Sequence, residues 1–208
     1  MTTDEPGNPP ARVIDDRVDR VAEVLRSNNI EAIVVETGEE ARRRIEELIP
    51  AGAEVHTATS KTLEEIGLYA DLHESGRYDP LRPRYMAMDR ATQAREIRKL
   101  TAAPDFMLGS VNAVTEDGAL VTASYAGSQI GPYAAGAGRL ILVVGSQKIV
   151  RDLDAAFARI RDVAMPYEDA RLRERLGVGT RIAKILITYL DPRPGRTTVF
   201  LVREPVGG

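Results

Sequence analysis

Apolar residues recur along the chain either at three- and four-residue spacing or in short unbroken runs, and the two patterns alternate. Over residues 15–29, Val18, Val21, Ala22 and Leu25 fall on one helical face, and Asn28 and Asn29 end the helix. Residues 32–35 read as a strand. Residues 39–49 follow as a helix with Ala41, Ile45, Leu48 and Ile49 on its apolar side, stopped by Pro50 and Gly52, and residues 54–58 as a second strand. Thr62-Leu63-Glu64-Glu65 has the spacing of a capping box, which predicts a helix starting within residues 59–62 and running to about residue 72. A loop over 74–84, broken by Gly76, Pro80 and Pro83, leads to a helix over 92–101.

Residues 106–108 and 119–122 read as strands on either side of the turn GSVNAVTEDG. RLILVVG at 139–145 has no polar alternation, the pattern of a strand covered on both faces, and is the expected central strand. Helices are expected over 153–163 and 167–176. Two last strands, 182–190 and 197–202, are joined by DPRPG and predict a terminal hairpin. This alternation implies an α/β fold, three-layer α/β/α with a mainly parallel central sheet and a C-terminal β-hairpin, as a single domain over residues 15–208. The polar, proline-rich residues 1–14 are expected to be a disordered tail.

Composition narrows the function classes. With no cysteine, disulfides, thiolate nucleophiles and iron–sulfur or zinc–thiolate centres are excluded from this chain, and His56 and His73 alone make no metal-ligand pattern, so no metal site is expected. A net charge of −3 argues against a nucleic-acid partner. The longest apolar run, five residues at 140–144, is far short of the roughly 20 that span a bilayer, and residues 1–10 lack a secretory signal pattern. A soluble, cytoplasmic protein without a membrane partner is the expectation.

Open parallel sheets bind ligands beyond the carboxyl ends of their strands, where loops offer unpaired N–H groups. Four loops qualify. In ATSKT, Ser60, Lys61 and Thr62 place two hydroxyls and an ammonium at a helix start, suited to a phosphate or carboxylate or simply to helix capping. In GSVNAVTEDG, polar Ser110, Asn112, Thr115, Glu116 and Asp117 lie between Gly109 and Gly118; they form either a ligand loop or a wide turn, and Glu116 is the candidate nucleophile or general base. In SYAGSQIG, Gly127 and Gly131 permit close backbone approach beside Ser128, and in GSQK, Lys148 could neutralise an anion.

Three segments carry a family resemblance: SKTLEEIGL at 60–68, APDFMLGSVNAVTEDGALV at 103–121 and LILVVGSQKIVRDLDAAFARIRDVAMP at 140–166. In this order they resemble the LUD-domain family, which includes the lactate utilisation protein C group, over about residues 30–166. The resemblance implies a fold like that of the sugar-phosphate isomerase and CoA-transferase superfamily, and Glu116-Asp117-Gly118 looks like the Glu-X-Gly turn that carries the catalytic glutamate of class I CoA-transferases. It further implies a protein linked to organic-acid (lactate) utilisation. Such a protein would bind a small anionic metabolite and serve as an accessory subunit beside iron–sulfur or oxidoreductase partners. The alternative it leaves open is a free-standing CoA-transferase-like or sugar-phosphate isomerase-like enzyme. Glu116 would then be the nucleophile or base, and Lys61 or Lys148 would hold CoA or a phosphorylated ligand. The cysteine-rich segments of longer relatives have no counterpart here.

Overall fold

A computed structural model describes residues 11–208. Most of the expected tail, residues 1–10, lies outside the described residues. Helix α1 (Ala11–Ser27) begins four residues before the expected start, and its stripe of Val18, Val21, Ala22 and Leu25 is buried. It closes at Asn29, whose φ of 56° places it in the left-handed region that asparagine tolerates. Strand β1 (Glu31–Val35) leads to α2 (Gly38–Leu48), where the Thr37 hydroxyl accepts from the Glu40 amide at 3.2 Å. After β2 (Glu54–Thr57), the expected single helix is two: α3 (Lys61–Glu65), capped by Ser60, and α4 (Leu68–Glu74). The break is at Gly67, whose φ of 78° no helix accommodates. The expected loop after residue 74 holds β3 (Asp79–Pro80) and α5 (Leu81–Met86), and α6 (Ala94–Ala102) follows.

Six parallel strands form the main sheet. They include β4 (Phe106–Gly109), β7 (Arg139–Gly145) and β10 (Thr197–Val202), in the order β1-β10-β7-β4-β2-β3. Along β7 the side chains alternate between two cores: Leu140, Leu142 and Val144 pack toward α1, and Ile141 and Val143 toward α2, α3 and α4. A strand covered on both faces needs apolar residues at successive positions, which Leu140 to Val144 supply. Helices therefore lie on both sides of a mainly parallel sheet, the three-layer arrangement expected. No described helix is long and apolar enough to cross a membrane.

The C-terminal hairpin is not formed, and this corrects the sequence reading. Both strands exist, but they enter different sheets. Strand β9 (Lys184–Thr188) pairs antiparallel with β6 (Leu120–Ser124) in a second sheet of order β8-β5-β6-β9, which also contains β5 (Ala113–Thr115) and β8 (Ile149–Val150). Strand β10 inserts between β1 and β7, parallel to both. All six β10 residues are buried, and such a run suits the interior of a parallel sheet better than a two-stranded ribbon with a wet face.

The DPRPG link between these strands is anchored by a buried ion pair. Arg196 donates to Asp191 at 2.8 Å and to the carbonyls of Pro132, Tyr133 and Ala137 at 2.7, 2.9 and 3.0 Å. It thereby holds a π-helical turn, Pro132–Gly136, against the sheet. A Cβ on Gly136 would overlap the backbone carbonyl oxygen of Ala102, which cannot swing aside. Gly136→Ala is therefore expected to cost about 3 kcal/mol and to lower Tm by roughly 10 °C, measurable by scanning calorimetry.

Candidate functional site

Strands β2, β4 and β7 are adjacent in the sheet, so the loops at their carboxyl ends converge. Together with the loop after β6 and with α8 (Met165–Leu176) they enclose a cavity of about 340 Å³, within the range of small-molecule sites. Lys148 lines it from the 3₁₀ turn Ser146–Lys148 that follows β7. Although only 3% exposed, its Nζ reaches two hydroxyls from elsewhere in the chain, Thr62 Oγ1 in the first turn of α3 at 2.8 Å and Ser110 Oγ in the loop after β4 at 3.0 Å. Burial, reinforced by the charge of Arg159 and opposed by Glu65, lowers its pKa to about 7. Arg159 itself is held by the carbonyls of Asn112 and Gln147.

One side of the Lys148 amine is covered by backbone. Gln147 Nε2 donates to the carbonyls of Val206 and Gly207, both at 2.9 Å, and the Gly207 amide donates to Glu65 at 2.8 Å. Gly207 lies so close that a Cβ there would overlap Thr62 Oγ1 and stand 2.9 Å from Lys148 Nζ.

Of the residues singled out in the sequence, Ser60, Lys61, Thr62, Ser110, Asn112, Ser128 and Lys148 line this cavity. Gly109 sits beneath it: a Cβ there would overlap the Tyr133 hydroxyl, which donates to the Ser110 carbonyl at 3.2 Å. Gly127, with φ at 83°, serves the turn after β6, and its amide donates to Ser124 Oγ at 2.9 Å.

Thr115, Glu116, Asp117 and Gly118 are not brought into the cavity. Ala113, Val114 and Thr115 are fully buried and continue as β5, so Glu-Asp-Gly becomes the tip of the β5–β6 hairpin. The Thr115 hydroxyl donates to Asp117 and accepts from the Ala119 amide, and Gly118 packs on Val24 of α1. Glu116 pairs with Arg17 of α1 at 3.0 Å, so the expected nucleophile faces a helix and not the ligand loops. A signal for this was present: Asp-Gly between AVT and ALVT is a hairpin sequence.

Tyr133, Tyr167, Glu168 and Arg181 also line the cavity, though their sequence context carried no ligand signal. They arrive from the π turn, α8 and the segment before β9. Arg171 ties α8 to the site by bonding Glu168 at 2.9 and 3.0 Å and Glu64 of α3 at 3.3 Å.

Neither histidine lines the cavity. His56, on β2, is 4% exposed, its ring meets Tyr85 edge-on, and its Nδ1 has no hydrogen-bond partner. Burial first, then the charges of Arg82 and His73, lower its pKa to about 4. His73 shares a 2.9 Å hydrogen bond with Thr57 and stacks on Tyr69. Among the described residues no group of three or more His, Asp or Glu is placed to hold a metal ion. Because the unfolded chain binds a proton on His56 below about pH 6.5 and the folded chain only near pH 4, stability must fall as pH drops through that window. His56→Phe is expected to shrink the loss between pH 7 and 4 by about 3 kcal/mol, read from urea melts at both values.

A family model described as "LUD domain" matches residues 18–202. Among solved structures, the chain is similar to a DUF162 family protein from Deinococcus radiodurans, with 14% identity and a TM-score of 0.49, covering 94% of this chain and all of that one. No curated protein matches.

Proposed function

The chain belongs to the LUD domain family, and on that premise we propose that it binds a small organic-acid anion in the cavity at Lys148, as a component of organic-acid utilisation of the lactate type. The observation that carries this reading is a buried amine whose neighbours are hydroxyls and backbone, with no carboxylate within ion-pair reach among the described residues. An anion bound there would supply the missing counter-charge, and the hydroxyls of Ser60, Thr62 and Ser110 would replace part of its hydration. Lys61 and Arg181 add positive charge to the same lining, while the acidic Glu168 is already occupied by Arg171.

Binding of this kind takes up a proton. An anion favours the charged amine and raises its pKa from about 7, so affinity should fall as pH rises past neutrality, by at most about tenfold per unit. Titration calorimetry with lactate, pyruvate and phosphate at pH 6.5, 7.5 and 8.5, in two buffers of different ionisation heat, tests both points. Failure of all three anions to bind at pH 6.5 refutes the reading. Iron–sulfur or oxidoreductase partner subunits belong to the same proposal, and co-purification from the native cell addresses them. The alternative of an enzyme working through Glu116 gains no support from the geometry, since that carboxylate is paired with Arg17 outside the cavity.

A further inference from the structure

We propose that Lys148 is a covalent site, its amine condensing reversibly with the carbonyl carbon of a small oxo acid to form an imine within the cavity. This deepens the anion-binding reading and rests on it: a carboxylate held by the cationic lining would bring an adjacent aldehyde or ketone to the amine.

The geometry supplies what that step needs. Lysines are few, only Lys61, Lys99, Lys148 and Lys184, and Lys148 alone of them is buried. Its Nζ is fixed between two hydroxyls, one from α3 and one from the loop after β4, while the aliphatic stem is enclosed, so the nucleophilic atom is held at the cavity instead of waving in solvent. A lysine retained to neutralise a protein carboxylate would show an ion pair, and among the described residues this one has none. The charged groups around it are Arg159 on α7 (Leu153–Arg159), Glu65 on α3, and Lys61, Arg181 and Glu168 in the lining; only Arg159 and Glu65 affect its protonation, in opposite directions. With a pKa of about 7, about half of the amine is unprotonated at neutral pH, roughly 10³-fold more than for an exposed lysine.

The chemistry balances without an oxidant or reductant. The nitrogen lone pair attacks the carbonyl carbon, the carbonyl oxygen takes a proton, and a carbinolamine results. Loss of water then leaves the C=N bond, and hydrolysis returns free amine and oxo acid. The Thr62 and Ser110 hydroxyls, each within 3.0 Å of the nitrogen, can pass protons between nitrogen and the departing oxygen.

The test is reductive trapping on the full chain. Protein is incubated with millimolar glyoxylate or pyruvate, reduced with borohydride, digested and mapped by mass spectrometry. The expected result is one carboxymethyl group from glyoxylate, or one carboxyethyl group from pyruvate, on Lys148 at tenfold or greater occupancy over Lys61, Lys99 and Lys184. Trapping should rise between pH 6 and 8 and be suppressed by saturating lactate, which has no carbonyl. Even labelling of all four lysines, or labelling that lactate does not reduce, overturns the proposal. Wild-type mapping needs no variant; Lys148→Arg, which forms no imine, should lose the adduct while Lys61, Lys99 and Lys184 label as in wild type. If wild type binds pyruvate but no adduct is trapped at Lys148, the covalent step is wrong while anion binding stands. Absence of any binding removes both.

Discussion

Lys148→Met should give a protein that is more stable than wild type at neutral pH and blind to anions. A lysine whose folded pKa lies near 7 against 10.5 in the unfolded chain penalises folding most below pH 7, where the folded state must either bury a charge or give up a proton. Between pH 7 and 10.5 the unfolded chain binds more protons, so wild-type stability rises with pH, and the methionine variant lacks that rise. Thr62 and Ser110 lose a partner in the variant, which offsets about 1–2 kcal/mol. The stability gap between variant and wild type should narrow by about 2 kcal/mol from pH 7 to pH 9, measured by urea denaturation at each pH. In the same samples wild type should gain several degrees of Tm from a ligand at 100 times its Kd, and the variant none. A variant whose anion response and pH slope both match wild type would show that the amine is neither titrating in this window nor holding the ligand.

Arg196→Leu should have the largest effect on stability. The guanidinium and Asp191 are both almost completely buried, and Asp191 also accepts from Thr197 at 2.6 Å and from the Arg193 amide at 3.0 Å. These bonds hold the Asp191 carboxyl below the usual carboxylate range against its burial. Removing the cation leaves an uncompensated buried carboxylate and takes a donor from three carbonyls, of which only that of Pro132 keeps another, the Ala137 amide; the loss should be about 3–5 kcal/mol and more than 10 °C in Tm. The damage should reach the cavity as well, because the released π turn carries Tyr133, whose hydroxyl bonds the Ser110 carbonyl. Ligand affinity in any folded fraction should therefore fall along with stability. Exchanging both partners for Leu and Val removes the stranded charge and should recover part of the loss, whereas an additive double variant would refute the pairing.

Much of the architecture was legible in residue order because it is local. The α1 stripe, the Ser60 cap region and the unbroken apolar run of β7 each announce an element within a dozen residues. Pairing is different. Residues 182–190 and 197–202 were both readable as strands, but nothing near DPRPG says that their partners are β6 in one sheet and β1 and β7 in the other. The same limit shaped the site. Ser60, Thr62, Ser110 and Lys148 were identifiable because they follow strands that end at one edge, whereas Tyr167 and Arg181 reach the cavity only through the packing of α8 and the chain after it. Glu116 was misplaced by assigning a loop where three buried residues, Ala113 to Thr115, form a strand that turns the carboxylate toward α1.

The position of β10 also bears on how the protein is made. Among the described residues, strand β1 has one hydrogen-bonded neighbour in the sheet, and that neighbour is β10. Until residue 202 has left the ribosome, β1 and the block β7-β4-β2-β3 face each other across a missing strand, each with an unpaired edge. A nascent chain stalled before residue 197 can form α1, α2 and the second half of the sheet, but it holds two sticky borders that pair readily with other chains. Folding of the main sheet thus waits for β10. Chaperone occupancy during translation should persist until Thr197–Val202 emerges and fall away once that strand closes the gap.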